Sequence, residues 1–176
     1  MQIIPVTPDE YKTTEHLVQT AFAPVELSDH DEHRLINRLR NEPHYHPEFD
    51  LVAKDENGQI IGHAMLSEIQ IQSNSQSVTA LALAPLAVLP EAQGQGVGGR
   101  LIAALETAAR EADYPAISIL GDPHYYGRFG YVPASQYQIH ASFAVPAEFY
   151  MVKPLTPRAL AGVTGTISYL PAFGID

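Results

Sequence analysis

Residues 81–102 read LALAPLAVLPEAQGQGVGGRLI and contain the pattern that decides the fold. An apolar run ends at Pro90, glycines follow at 94, 96, 98 and 99, and an amphipathic pattern begins at Val97. At such a strand-to-helix turn, backbone N–H groups face an anion at the positive end of the helix dipole. The stretch therefore predicts a diphosphate-binding turn. A turn that needs glycine only for its positive φ explains the same residues.

Three known phosphate-loop patterns can be compared with this turn. The Walker A loop requires Gly-Lys-Ser/Thr, and Arg100 after Gly99 excludes it. The dinucleotide fingerprint Gly-x-Gly-x-x-Gly is met by Gly94, Gly96 and Gly99, but four residues separate these glycines from the strand, and too few residues follow to complete a doubly wound sheet. The third pattern, Gln/Arg-x-x-Gly-x-Gly/Ala, matches residues 93–98, which follow a strand that ends at residues 88–90.

The composition indicates an ordinary globular protein with an acidic net charge. Its 176 residues predict a single domain over 1–176, and 45% hydrophobic residues with 17% charged residues are typical of a globular protein. Twenty acidic against ten basic residues give a net charge of −10, which disfavours binding to nucleic acid or anionic lipid. The chain has no cysteine, so thiolate chemistry is excluded.

The N-terminus lacks a signal-peptide pattern and no apolar run reaches eighteen residues, so we expect a cytoplasmic protein with no membrane partner.

Local patterns predict alternating helices and strands in a mixed α/β architecture. Thr7-Pro8-Asp9-Glu10 is a helix start, and the residue before Pro43 ends a second helix. Asn57-Gly58 predicts a hairpin between two strands, and the strand, helix and strand around the glycine turn predict a parallel crossover. The predicted strands cover 1–6, 49–54, 59–71, 77–89 and 116–120, with a helix over 97–112 and further strand material, of undetermined register, after Tyr131.

With these motifs the chain resembles the acyl-CoA N-acyltransferase (GNAT) superfamily, and within it the YhbS-type N-acetyltransferases. The resemblance rests on the turn at residues 90–100, on the segment LGDPHYYGRFGY at 120–131, and on a tail that includes YLPAFG at 169–174. It implies a single GNAT domain with a mixed sheet, and transfer of an acetyl group from acetyl-CoA, as cosubstrate, to a primary amine. The acceptor is then a small molecule or a peptide, and a homodimer is compatible with the resemblance.

The resemblance also assigns residues to acetyl-CoA. Pro85, which cannot donate to a strand ladder, coincides with a bulge of this strand in the family. The strand backbone beyond it would pair with the pantetheine amides, and the glycine turn would hold the diphosphate. Arg100 would assist the diphosphate or remain a solvated surface residue. The implied cofactor-binding residues are Leu86, Ala87, Val88, Gln93, Gly94, Gln95, Gly96, Val97, Gly98, Gly99 and Arg100.

Tyr126 is the implied catalytic residue. It stands four residues before Gly130, in register with the family tyrosine that acts as general acid towards the departing CoA thiolate; packing alone would also explain an aromatic residue there. The base is not identified, because the strand at 81–88 carries no acidic residue. Glu68 is one candidate for the base, although a plain surface carboxylate would explain it as well. His63 is another candidate, and a hydrogen-bonded, half-buried histidine would explain that residue equally well. Arg128 and Asp122 are further contacts for CoA, while Asp122 before Pro123 also fits a helix cap.

Two other interpretations remain open at this stage. His30, His33, His44 and His46 lie among acidic residues, but their spacing matches no known zinc motif, so no metal is expected. A chain with this fold could also bind acyl-CoA as a sensor or interaction domain without catalysing transfer.

Overall fold

The computed structural model describes residues 1–175 and has the mixed α/β architecture expected from the sequence. The chain divides into two compact units, the first formed by residues 1–67 and 84–108 and the second by residues 68–83 and 109 onward. Among the helices of residues 1–175, none combines the length and apolar character that crossing a membrane requires. The single domain over 1–176 stays a prediction.

The first unit contains a run of antiparallel strands, and two helices lie in the chain between the first of these strands and the second. Strand β1 (Gln2–Pro5) pairs with β2 (Asp50–Lys54), and β2 pairs with β3 (Ile60–Gln72). Helix α1 (Tyr11–Phe22) follows the predicted start, where the Thr7 N–H donates to Glu10 Oε2 at 3.1 Å. Helix α2 (Glu32–Arg40) ends just before Asn41 and Pro43, as the sequence predicted. The two helices bury apolar side chains in the first unit: α1 buries Leu17 and Val18, and α2 buries Ile36 and Leu39.

Strand β4 (Ser77–Val88) and helix α3 (Val97–Glu111) carry the glycine turn between them. Gly62 on β3 fixes the position of the helix start in the first unit. A Cβ atom at this glycine would lie 2.9 Å from Val97 Cγ1 and 3.1 Å from Leu101 Cδ1. The first distance is shorter than real Cβ contacts and the second is tight, so a side chain at this position would force Val97 to move and loosen the packing of the first turn of α3 on β3.

The second unit contains the parallel pairing of β4 with the next strand and the C-terminal strands. Strand β4 pairs in parallel with β5 (Ala116–Leu120) through Leu81↔Ile117 and Ala82↔Ser118, as expected for strand, helix and strand. The short helix α4 (Pro123–Tyr126) follows β5. The tail supplies β6 (Val132–Pro133), β7 (Ile139–His140), β8 (Tyr150–Pro154) and β9 (Gly165–Tyr169). Strand β8 lies between β5 and β6, and β9 pairs with β3, an order that the sequence did not reveal.

Charged and polar side chains from α1, α2 and the neighbouring strands form a buried network in the first unit. Arg40 donates from Nε to Asp50 Oδ2 at 2.8 Å and from Nη2 to Thr14 Oγ1 at 2.9 Å. Tyr45 donates to Asp50 Oδ2 at 2.8 Å, and His63 Nε2 lies 2.6 Å from Asp50 Oδ1. The Arg40 guanidinium also stands 4.1 Å from the centre of the Tyr11 ring. The network therefore joins both helices to β2 and β3.

The network predicts a large stability effect at Arg40. The Arg40 and Asp50 side chains are 3% and 0% exposed, so Arg40→Met leaves a buried carboxylate without its main counter-charge. We expect the free energy of unfolding to fall by about 3–5 kcal/mol in a denaturant titration. Lys12→Met is the matched control, because Lys12 pairs with Glu15 at the surface and is 86% exposed. Equal stability of the two variants would contradict a structural role for the buried pair.

The same network predicts a pH dependence of stability. Burial alone would raise the pKa of Asp50, but hydrogen bonds from His63 and Arg40 hold this pKa below its usual value of 3.8. A lowered pKa in the folded state stabilises the fold above the unfolded pKa, and this contribution is lost as the pH falls through the folded pKa. The deficit of Asp50→Asn relative to wild type should therefore shrink as the pH is lowered below about 4. A deficit that stays constant with pH would contradict this assignment.

Candidate active site

The glycine turn in the first unit is open on the side where an anion would bind. Gly94 and Gly96 have φ of +74° and +78°, and a Cβ added at either would meet no atom within 4 Å. Glycine is therefore required here by backbone conformation and not by packing. Because α3 begins at Val97, the first N–H groups of a 15-residue helix point out of the turn. The turn thus offers unpaired donors beside open space.

Two glutamine side chains stabilise this turn. Gln93 donates from Nε2 to the Val88 carbonyl at 3.1 Å, and Gln95 donates from Nε2 to the Glu91 carbonyl at 3.0 Å. These contacts give both glutamines a role in turn geometry. Arg100 is exposed in the first turn of α3, and the described residues provide no carboxylate to pair with it. Gly98 and Gly99 lie within the first turn of the helix.

The strand residues before the turn differ in burial. Ala87 is buried, and its carbonyl oxygen faces Gly62, whereas Leu86 and Val88 are half-buried and not full core residues. The β4 backbone continues beyond Ala82, its last residue paired with β5, as far as Val88. The N–H of the next residue, Leu89, donates to the Ile61 carbonyl at 3.0 Å. The carbonyl of Val88 is occupied by Gln93.

Tyr126 lies at the end of α4 in the second unit, against the end of β5. The Asp122 side chain accepts from the His124 N–H at 2.8 Å, which confirms that Asp122 caps this helix. Gly121 makes room for the tyrosine ring, because a Cβ at this position would lie 2.3 Å from Tyr126 Cε2. This requirement for glycine was not apparent from the sequence, where only its position at a strand end was visible.

The surroundings of Tyr126 keep its hydroxyl protonated. Burial raises the pKa of Tyr126 well above its usual value of 10.0. The ring makes edge contacts with Tyr125 and Tyr131, at centroid distances of 4.9 and 6.2 Å. Within residues 1–175 its hydroxyl forms no hydrogen bond with another side chain or carbonyl. Tyr126 is thus a neutral phenol whose proton is not engaged elsewhere.

The two residues considered as a base both have protein partners. His63 is completely buried and bonded to Asp50, so the expectation of a half-buried histidine is corrected. Glu68 is half-buried and accepts a hydrogen bond from the Tyr114 hydroxyl at 2.5 Å, so it is not a plain surface carboxylate. Both corrections have one cause: each side chain meets a partner distant in sequence. Among residues 1–175 no group of three or more His, Asp or Glu side chains is arranged to hold a metal ion.

Comparison with known proteins identifies the class. The model of the acetyltransferase (GNAT) family matches residues 12–131, and the chain therefore belongs to this family. It is an acyltransferase with the GNAT fold, which confirms the fold class and the family predicted from the turn. The matched residues include the glycine turn, Tyr126, all of α2 and all of α1 except Tyr11.

Individual relatives refine this result. The uncharacterized N-acetyltransferase YhbS of Escherichia coli K12 is 34% identical over 119 residues, which cover 68% of this chain and 70% of YhbS. The crystal structure of E. coli YhbS with CoA has a TM-score of 0.85 at 28% identity and covers 98% of this chain and 91% of that chain. A GNAT acetyltransferase from Brucella melitensis with acetyl-CoA has a TM-score of 0.76 at 27% identity, with coverage of 98% and 97%. The resemblance to the YhbS type is thus confirmed.

Proposed function

We propose that this chain transfers the acetyl group of acetyl-CoA directly to a primary amine. The observation that carries the proposal is the open glycine turn at the start of α3, where N–H donors face space that no side chain fills. The solved relatives from E. coli and Brucella melitensis were crystallised with CoA and acetyl-CoA, which supports the same cosubstrate here. The expected diphosphate ligands are the N–H groups of residues 94–99, assisted by Arg100.

The proposed reaction needs few groups from the protein. The amine nitrogen attacks the thioester carbonyl carbon, the carbon–sulfur bond breaks, and the sulfur leaves as the CoA thiolate. Tyr126 gives this thiolate its proton and regains one from solvent, and the proton lost by the amine passes to solvent or to a base that we do not assign. The backbone of Leu86, Ala87 and Val88 would pair with the pantetheine amides. Because the Val88 carbonyl is already engaged by Gln93, that pairing would use the other backbone groups of this segment.

The acceptor is expected to be a small molecule or a peptide with a free amine. The net charge of −10 supports a cationic acceptor, because an acidic surface attracts ammonium groups. A cytoplasmic location and a homodimer remain predictions from the sequence. A panel of polyamines, amino acids, aminoglycosides and peptides, assayed for thiol release from acetyl-CoA, would identify the acceptor. Binding of acetyl-CoA without turnover on any acceptor would favour the sensor alternative.

Acetyl-CoA should stabilise the fold, and NAD should not. A ligand that binds only the folded state at a hundred times its dissociation constant adds about 2.7 kcal/mol to the free energy of unfolding. For a domain of this size that corresponds to a rise in Tm of roughly 5–10 °C. Differential scanning fluorimetry with each nucleotide measures it directly. Stabilisation by NAD alone would instead support the dinucleotide fingerprint.

A further inference from the structure

A cavity of about 370 Å³ lies in the second unit where β8 ends. Two stretches of chain line it, residues 136–138 before β7 and residues 158–164 after β8, together with Pro154, the last residue of β8. Leu160 and Val163 are buried and give the cavity an apolar lining. Small-molecule sites in proteins have volumes of this size and similar linings. The cavity is therefore large enough for an organic molecule with an apolar part.

This cavity is separate from the site that we assign to acetyl transfer. Strand β8 runs antiparallel to β5, with Tyr150 opposite Leu120 and Pro154 opposite Ala116. The helix that carries Tyr126 follows the Leu120 end of β5, whereas the cavity lies at the Pro154 end of β8. A strand as long as β5 spans about 13 Å from its first residue to its last. The cavity and the proposed proton donor are thus at opposite ends of β5.

Arg158 is the one charged residue among those that line the cavity, all of which the structure describes. Its side chain is exposed and forms no hydrogen bond or ion pair with another group of residues 1–175. In a chain with a net charge of −10, this unpaired positive charge is available to an external anion. The planar guanidinium matches a carboxylate through two parallel hydrogen bonds. The charge and shape of the lining therefore favour an oxyanion.

The backbone on both sides of the cavity has an unfavourable conformation. Arg158 and Gln138 have φ of +66° and +56°, in the left-handed region that favours glycine. Hydrogen bonds hold both residues there. The Ala161 N–H donates to the Arg158 carbonyl at 2.9 Å, and the Gly165 N–H donates to the Gln138 carbonyl at 3.1 Å. Because glycine would satisfy the backbone at position 158 better, the fold by itself does not require an arginine there.

The stretch after β8 is anchored to the strands beside it. Gln76, in the turn between β3 and β4, donates from Nε2 to the Gly162 carbonyl at 2.7 Å. Gly165 lies so close to the end of β3 that a Cβ atom there would be 2.1 Å from the Gln72 carbonyl oxygen. These contacts fix the wall of the cavity before any ligand binds. Binding to a wall that is already ordered costs little conformational entropy.

We propose that this cavity binds a small organic molecule with one carboxylate and an apolar body. The Arg158 guanidinium binds the carboxylate, and Leu160 and Val163 contact the apolar part. One arginine matches the single charge of a carboxylate, whereas a phosphate monoester carries almost two charges and the lining has no second cation. The proposal does not depend on acetyl transfer, because other residues form the site.

The test is an NMR titration of isotope-labelled protein with isocaproate and with its neutral isostere, isocaproamide. We expect isocaproate to shift the amide signals of Gly162 and Thr164 and to bind wild type at least about tenfold more tightly than isocaproamide, as hydrogen bonds to a charged group imply. In Arg158→Gln this preference should vanish, because only the carboxylate uses the guanidinium. Arg34→Gln is the matched control, since it removes the same charge from a residue that is 74% exposed in the first unit. It should keep the wild-type preference.

Arg158→Gly separates binding from folding. It removes the guanidinium and relieves the left-handed backbone, so we expect its Tm to equal or exceed that of wild type while the preference for isocaproate is lost. A marked fall in Tm would instead assign Arg158 a structural role and overturn the proposal. So would a wild-type protein that does not prefer isocaproate, or a preference that persists in Arg158→Gln. A dimer in sedimentation velocity that Arg158→Gln dissociates would also overturn it, because the cavity would then belong to an interface between copies of the chain.

Discussion

Gly96→Asp is expected to abolish acetyl-CoA binding while the apo protein still unfolds in one cooperative transition. The added carboxylate would stand where N–H groups at the start of α3 are expected to face the diphosphate, so it brings both bulk and like charge. No protein atom lies within 4 Å of a Cβ at this position, so the side chain meets no clash in the apo fold. Calorimetric titration with acetyl-CoA should give no measurable heat of binding.

A second glycine provides the control for backbone strain. Gly58, in the turn between β2 and β3, has the same φ of +78° and the same open surroundings as Gly96. Gly58→Asp therefore introduces the same charge and the same strain, of order 1 kcal/mol, away from the glycine turn. We expect both variants to lose similar stability and only Gly96→Asp to lose binding. Unchanged affinity in Gly96→Asp would mean that the glycines serve the turn alone.

Tyr126→Phe is expected to lower kcat by at least about tenfold with binding of acetyl-CoA nearly unchanged. Proton donation to a leaving group contributes roughly 10²–10⁴ in rate, and phenylalanine keeps the ring while removing the proton. The hydroxyl has no hydrogen-bond partner among residues 1–175, so its removal should leave the melting temperature of the apo protein unchanged. The measurement is steady-state thiol release with an acceptor found by the panel described above.

Tyr125→Phe is the matched control, because Tyr125 is the adjacent ring of the same cluster and has no assigned role in the chemistry. Its kcat should fall much less than that of Tyr126→Phe. Since burial raises the pKa of Tyr126, the phenol stays protonated in the folded enzyme, and its ionisation should not limit the rate between pH 6 and 9. Wild-type turnover of Tyr126→Phe across this pH range would assign the proton to water and return Tyr126 to a packing role.

Sequence patterns predicted most of the elements because their signals are local. The Thr7–Glu10 helix start, the Asn57-Gly58 hairpin and the strand at Ala116–Leu120 depend on neighbouring residues, and the structure confirms all three. The glycine turn was found in the same way, since its positive φ angles demand glycine wherever the turn is placed. The family followed from this turn and from the order of the motifs around it.

Other features depend on residues that meet only in the folded chain. Arg40, Asp50 and His63 belong to three elements, and nothing in their spacing indicated that they share one buried network. The positions of β8 beside β5 and of β9 beside β3 were equally hidden, because short strands separated by prolines carry no register signal. The stacking of Arg128 on Tyr125 was not apparent either, because ring orientation is set by packing.

The sequence by itself therefore determined the main helices, the hairpin, the glycine turn and the family, since capping, turn conformation and periodicity act over a few residues. The tertiary structure decided the partners of His63 and Glu68. It also decided the space that Gly121 leaves for Tyr126, and it left the terminal guanidinium nitrogens of Arg128 without an acceptor among the described residues. Burial and hydrogen bonding between distant residues govern protonation and orientation, and these arise only when the chain has folded.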